Sequence, residues 1–367
     1  MSRDPEAPVQ GFVAEGFAPV RDAFTAVVEA SEGTGAAVAA WHDGRWAVDL
    51  WGGFADAART RPWERNSLVM PYSATKPFAA VAVLRLVDRR LVELDAPVST
   101  YWPGFAAPAT VRQVLDHTAG IVVLDEPLPT EALYDPARME AALAAQPPRW
   151  EPGTALGEAA LVYGHLLGAI VRRVDGRTIG AFLRDEVTGP HAIDFHVGLR
   201  PDEEARAVEL TGFEAGGRFL ADLETYGPLL RPAIDNPPGA VDPAVVNGSA
   251  WRRAEIAAAN GHGTARGLAG LYVELARGRL LSDGVLAEMT RIQATGHDDL
   301  IGDDAAWGLG VAIDGDGFGM GGLGGSYGWW SSAGGYAFAF VTGHLGDPDR
   351  GDRIEAVLRE VLGLATA

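Results

Sequence analysis

Ser73 and Lys76 stand three residues apart in the run Pro71-Tyr72-Ser73-Ala74-Thr75-Lys76-Pro77. Residues at that spacing share one face of a helix and can touch. A serine hydroxyl is a weak nucleophile at neutral pH. A neighbouring lysine that has been desolvated gives up its own proton more readily and can then accept the serine's. Pro77 fixes where the helix starts, because a residue without an N–H is tolerated only in the first turn. Ser73 therefore falls at the positive end of the helix dipole, where developing negative charge is favoured. A bare Ser-x-x-Lys also arises by chance, with the serine capping a helix and the lysine in solvent. The surrounding chain has to decide between the two.

The elements that would position this pair can be read from periodicity. Residues 15–30 carry Phe17, Val20, Phe24, Val27 and Val28 at helical spacing. The apolar runs 37–41 and 46–51 flank His42-Asp43-Gly44-Arg45, and Asp-Gly is a hairpin turn signal. Residues 73–91 are expected to be helical, with Val81, Leu84 and Val87 on one buried face. Between residues 100 and 260 strand signals fade, and apolar helical stretches such as 161–173 alternate with Pro-rich loops. Residues 228–244 are expected to form a long ordered loop. A helix is expected at 264–277, strands at 307–313, 326–331 and 335–342, and an amphipathic helix at 352–363. This order predicts one sheet built from both ends of the chain, residues 1–100 and 261–367. Residues 101–260 would be a mainly helical insertion, with the active site between the two.

Longer segments carry a resemblance. Ser73-Ala-Thr-Lys-Pro-Phe-Ala-Ala-Val-Ala-Val-Leu-Arg-Leu-Val-Asp-Arg89 resembles the nucleophile helix of the class C β-lactamase-like serine hydrolases, and within them the family VIII esterases. Matching segments follow in order: residues 111–120, Trp150-Glu-Pro-Gly-Thr154, Tyr163-Gly-His-Leu-Leu-Gly168, Asn260-Gly-His-Gly-Thr-Ala-Arg266 and 318–326. The likeness spans nearly the whole chain. It implies an α/β (α+β) fold of the β-lactamase/transpeptidase type, an antiparallel sheet flanked by helices plus an all-α domain. It also implies acyl-enzyme chemistry on esters or amides, with an oxyanion hole formed by the amides of Ser73 and Leu323. Tyr72, Met320, Gly322, Trp329 and Trp330 are the expected pocket residues.

Two positions depart from the family pattern. The register from Pro152-Gly153-Thr154 puts Glu158 where the family has a tyrosine that shuttles protons, and Tyr163 would take that place only in a shifted register. Glu158 beside Lys76 could act as a general base on water. It could instead hold Lys76 protonated through an ion pair, or point into solvent from a remodelled loop. Met320 stands where β-lactamases and transpeptidases have a lysine that binds a substrate carboxylate. β-Lactams and D-Ala-D-Ala peptides thereby become poor candidates, and a more apolar ligand is favoured. Trp329 and Trp330 could wall the pocket or pack within the sheet.

Composition sets the outer limits. With 49 Asp plus Glu against 30 Lys plus Arg, the formal charge is −19, and no basic run offers a site for nucleic acid or an anionic membrane surface. The chain has no cysteine, so thiolate chemistry and disulfides are excluded. The first eight residues have no apolar signal-peptide core, and no apolar stretch approaches the roughly 20 residues that span a bilayer; the expected location is cytoplasmic. Gly324-Gly-Ser326-Tyr-Gly328 matches a nucleophile elbow in letters, but lacks the strand before and helix after it. His117 is expected to cap or pack a helix end, and His262 to be structural or to support the site. The histidines show no metal-ligand spacing and the glycines no dinucleotide fingerprint, so neither metal nor cofactor is expected. The leading expectation is hydrolysis of a small-molecule ester or amide with Ser73, Lys76 and Glu158 as catalytic residues. Acyl transfer on the same scaffold and a non-catalytic binding homologue are its competitors. The oligomeric state is left open.

Overall fold

The computed structural model describes residues 8–31, 34–215 and 217–365. Met1–Ala7, part of the run read above for a signal peptide, lies outside the described residues. Among the described residues there are eleven strands: β1 (Gln10–Val13), β2 (Ala36–His42), β3 (Arg45–Gly52), β4 (Phe195–His196), β5 (His262–Gly263), β6 (Ala294–Asp298), β7 (Asp303–Trp307), β8 (Ala312–Asp314), β9 (Gly317–Gly321), β10 (Tyr327–Ser331) and β11 (Tyr336–Thr342). All but the β4–β5 pair form one antiparallel sheet in the order β1-β3-β2-β11-β10-β9-β8-β7-β6. The seam between early and late strands is β2 against β11, in register from Ala36↔Thr342 to His42↔Tyr336. The β2–β3 hairpin turns where expected, with Asp43 and Gly44 both at positive φ.

Five helices matter most to the site: α1 (Ala18–Ala30), α2 (Lys76–Asp88), α3 (Val162–Asp175), α4 (Ala265–Ala276) and α5 (Arg350–Val361). Residue size decides which helix lies on which face of the sheet. Ala37, Ala39, Ala337 and Ala339 point to one side and share its core with α4 residues Leu268, Leu271 and Tyr272. Val38, Tyr336, Phe338 and Phe340 point to the other and fill the wider gap beneath α1 and α5. Small side chains let α4 lie close; a Cβ on Gly328 of β10 would come within 2.6 Å of Tyr272 and 2.9 Å of Leu268.

Helix α2 is central. Every residue from Lys76 to Leu84 is buried, so the single buried face read from Val81, Leu84 and Val87 is too narrow, and Val87 is only half-buried. A helix apolar on all sides belongs inside a core; α3 packs on one side and Phe78 stacks on Phe195 at 3.8 Å. Residues 228–244 are not one continuous loop. They contain the short helix Leu230–Ile234 and the start of another at Pro243–Val246. Strands β1 and β6 escaped the sequence reading because both are edge strands without an alternating apolar pattern, and the strand expected at 307–313 is instead a break at 308–311 between β7 and β8. No helix among the described residues is long and apolar enough to cross a membrane.

The close approach of α4 makes Gly328 sensitive to any side chain. Gly328→Val is expected to lower unfolding stability by about 1–3 kcal/mol, the usual cost of overpacking a filled core. Equilibrium denaturation monitored by circular dichroism measures it.

Candidate active site

The segment before Ser73 runs extended, and Val69 exchanges backbone hydrogen bonds with Gly263. Tyr72 then adopts a positive φ of 46°, a conformation rare for a bulky residue. It turns the chain into a short 3₁₀ turn, Tyr72–Thr75, that feeds directly into α2 with Pro77 in the first turn. The buried Tyr72 hydroxyl donates to the carbonyl of Ala240 at 2.9 Å, tying the turn to the loop opposite. Ser73 is thus presented at the head of a buried helix, as its proline-marked start implies.

Lys76 is wholly buried, and its Nζ donates to Ser73 Oγ at 2.8 Å and to the Ala258 carbonyl at 3.3 Å. The same Nζ lies 2.7 Å from Glu158 Oε1. Glu158 is itself buried and faces Ser73, so the solvent-pointing alternative does not describe this geometry. Burial drives the Lys76 pKa down; Glu158 and, more weakly, Asp298 pull it back, and the net position is below an ordinary lysine. Burial alone would raise the Glu158 pKa. The charge of Lys76, with hydrogen bonds from Lys76 and Ser73, outweighs it and holds the carboxylate below its usual range. The three side chains make one cluster in which Lys76 is hydrogen-bonded to Ser73 and ion-paired with Glu158.

Glu158 has no helix to hold it; its main chain is anchored by two residues from elsewhere. Its N–H donates to both oxygens of the Asp298 carboxylate, at 3.1 and 3.0 Å. On its other side the Ala159 N–H donates to Nδ1 of His117 at 3.3 Å, and the Gly157 N–H donates to the His117 carbonyl. His117 follows the helix Val111–Leu115 as expected, but its ring does more than close that end. It lies between Tyr163 and Trp307, with centroids 4.8 and 4.5 Å away, and burial holds its pKa down to about 3. Accepting at Nδ1, the neutral ring carries its proton on Nε2. Tyr163 is buried in this stack with its hydroxyl directed to the Leu115 carbonyl, 3.4 Å away. Among the described residues no hydrogen bond joins it to Ser73.

The end of β9 closes the other side. A Cβ at Gly322 would lie 1.9 Å from the Pro71 carbonyl oxygen and 3.0 Å from the Ser73 amide nitrogen. Only glycine lets this backbone rest on the Ser73 turn, and it brings Gly322 beside the serine amide, with Leu323 following it along the cavity wall. Ser73, Glu158, Tyr72, Met320, Gly322 and Leu323 border one cavity of about 270 Å³. Its remaining walls are mainly apolar, with Leu230, Ile234, Leu300, Ile301 and Trp307 prominent, and none of the described lining residues is a lysine or arginine. Met320 is buried against Leu156 and Trp307.

Trp329 and Trp330 do not line this cavity, which corrects the pocket expected from sequence. They lie midway along β10, away from the β9 end that reaches Ser73. Trp330 packs on Trp41 with centroids 6.2 Å apart, and Trp329 covers Gly317 and Gly319. Ser326 of the elbow-like run is buried and accepts the Thr342 N–H at 3.1 Å, with no helix after it. His262 is buried and bonded through Nδ1 to the Asn260 carbonyl at 2.8 Å, a structural part. Among the described residues no cluster of His, Asp and Glu is arranged to hold a metal ion. Sequence reasoning missed Asp298, Trp307, Tyr226 and the 300–301 wall, because none of them carries a spacing relative to Ser73 or Glu158.

A large antiparallel sheet flanked by helices, with a serine–lysine pair at the head of the central helix, defines the β-lactamase/transpeptidase-like class. The chain belongs to the Beta-lactamase family, whose model matches residues 20–362. It is 34% identical over 359 residues to the Mycobacterium tuberculosis protein described as esterase/beta-lactamase LipL, covering 90% of this chain and 82% of that one. Among solved structures it is similar to a family VIII carboxylesterase, with 35% identity and a TM-score of 0.87 over 96% of this chain and 99% of that one. A penicillin-binding protein homologue from Caulobacter crescentus gives 31% identity and a TM-score of 0.86 over 96% and 99% of the two chains. This is a family of serine hydrolases.

The buried ion pair yields a test independent of substrate. Lys76→Met leaves the Glu158 carboxylate buried without its cation and should cost about 3–5 kcal/mol of stability. The double substitution Lys76→Met with Glu158→Leu should recover most of that loss. Chemical denaturation of both variants measures the difference.

Proposed function

We propose that this chain is a carboxylesterase-like serine hydrolase that cleaves small, uncharged and largely apolar esters or amides through an acyl-Ser73 intermediate. The observation that carries the reading is the 2.8 Å contact between Lys76 Nζ and Ser73 Oγ at the edge of an apolar cavity. The descriptions of its relatives as esterase and carboxylesterase support ester cleavage. The cavity offers no cation for a substrate carboxylate, and Met320 fills the position where such a cation would stand. That favours neutral substrates over β-lactams and carboxyl-terminal peptides.

Glu158 takes over the proton traffic assigned to a tyrosine in related enzymes. At rest Lys76 and Glu158 form an ion pair, so Nζ must lose a proton before it can accept one. Glu158 Oε1, 2.7 Å away, is the acceptor. As Ser73 Oγ bonds to the substrate carbonyl carbon, its proton passes to Nζ and one Nζ proton passes to Glu158. The amides of Ser73 and Leu323 hold the oxyanion. When the carbon–oxygen or carbon–nitrogen bond breaks, Glu158 returns that proton to the leaving alcohol or amine. Water then adds to the acyl carbon and gives its proton to Glu158. The bond to Oγ breaks, Ser73 recovers its proton through the same relay, and the acid departs.

A second reading keeps the acyl-enzyme but hands the acyl group to an alcohol or amine. The apolar walls favour an organic acceptor over water in the same position. Product analysis across acceptor concentrations separates the two, and hydrolysis product alone at every concentration counts against transfer.

The main reading is tested by fluorophosphonate labelling and mass spectrometry. Label is expected on Ser73 and absent in Ser73→Ala, and undiminished labelling of that variant would overturn the assignment. Glu158→Gln is expected to lower kcat for p-nitrophenyl butyrate by about 10²–10⁴-fold, the usual span for a lost general base.

A further inference from the structure

Asp298 is wholly buried at the end of β6, and no lysine, arginine or histidine side chain among the described residues forms an ion pair with it. Its carboxylate is surrounded by donors. Oδ1 accepts the N–H groups of Glu158 at 3.1 Å, Leu300 at 2.9 Å and Ile301 at 3.1 Å. Oδ2 accepts the Glu158 N–H at 3.0 Å and the Trp307 indole N–H at 3.1 Å. A protonated carboxyl would need an acceptor for its own O–H, and these neighbours all donate, so the shell fits the carboxylate. The four donor residues, Glu158, Leu300, Ile301 and Trp307, all line the cavity beside Ser73. Backbone bonds reinforce the grouping: Asp299 N–H donates to the Leu156 carbonyl and Gly302 N–H to the Asp298 carbonyl.

We infer that Asp298 is a positioning residue for the reaction: it locks the Glu158 main chain and the Leu300–Ile301–Trp307 wall into one unit, setting the proton acceptor relative to the bound acyl group. The inference rests on the reading of Glu158 given above. It explains how a carboxylate on an irregular segment keeps a fixed distance to Lys76 without a helix beneath it. A displacement of about 1 Å at such a group can cost on the order of 10²-fold in rate. Replacing Asp298 by Asn turns one acceptor oxygen into an NH₂ group facing a donor, which pushes Glu158 or the wall away.

The experiment is a double-substitution cycle on kcat for p-nitrophenyl butyrate, with rates normalised to the Ser73 sites titrated by a fluorophosphonate. Asp298→Asn is expected to lower kcat by about 10–100-fold, and the same change in a Glu158→Gln background by less than about twofold. Equal losses in both backgrounds mean that Asp298 acts only by holding the fold, and overturn the inference while leaving Glu158 intact. A Glu158→Gln enzyme with unchanged kcat overturns the Glu158 reading itself, and this inference with it. Should Asp298→Asn not fold, Trp307→Phe removes a single donor and keeps a ring. The same cycle with that variant is expected to show a smaller loss that again vanishes with Glu158→Gln; a loss that persists refutes the coupling.

Discussion

Bringing a lysine ammonium wholly out of water beside a serine is the constraint on which the rest of this site depends. Desolvation works against the charged form, and an unpaired ammonium would either lose its proton or pull the structure open. Three groups counter this around Lys76: Ser73 Oγ, the Ala258 carbonyl and the Glu158 carboxylate. They come from separate parts of the chain. The lysine can therefore be buried only when α2, the Gly157–Ala159 segment and the strand-forming region near 260 are all in place. The ion pair is not a source of stability in itself, because burying both charges costs about as much as their attraction returns. What it fixes is geometry, with a carboxylate oxygen 2.7 Å from the lysine nitrogen.

The sheet serves the same end through residue size. Alanine and glycine on the α4 face let a helix settle close to β10 and β11, and large aromatics on the opposite face fill the space under α1 and α5. Glycine at the end of β9 extends the same device to the active centre, where Gly322 lies against the Pro71 carbonyl. Glu158 is held differently. Its anchors are a carboxylate and a neutral imidazole, Asp298 and His117, which take the N–H groups of Glu158 and Ala159. Irregular backbone inside a protein must find side-chain partners when it has no helix or sheet to satisfy it.

Much of the fold was legible from periodicity. Helices α1, α3, α4 and α5 and the β2–β3 and β10–β11 strands follow from apolar spacing, because each covers a core with a regular face. Edge strands β1 and β6 were not legible, since an edge strand needs no apolar alternation. The tryptophan pair misled for a related reason. Adjacent residues on a strand face opposite sides, and proximity in sequence to Gly322 says nothing about which stretch of β10 reaches the cavity.

Within the site, Ser73, Lys76 and Pro77 could be related by sequence because they share one turn of helix, whose geometry is local. That spacing puts the two side chains within reach of each other, while the reactivity of the pair depends on the lysine being taken out of water. The register of Pro152-Gly153-Thr154 also brought Glu158 forward as a candidate, but not the direction in which its carboxylate points. That direction, with the burial of Lys76, the stacking of His117 and the donor shell of Asp298, was decided only by tertiary packing. Contacts between residues 140 apart, such as Asp298 with Glu158, leave no periodic trace in the chain. They exist because the sheet and the helical region fold onto each other, and a buried polar group then takes whichever partner that packing brings within reach.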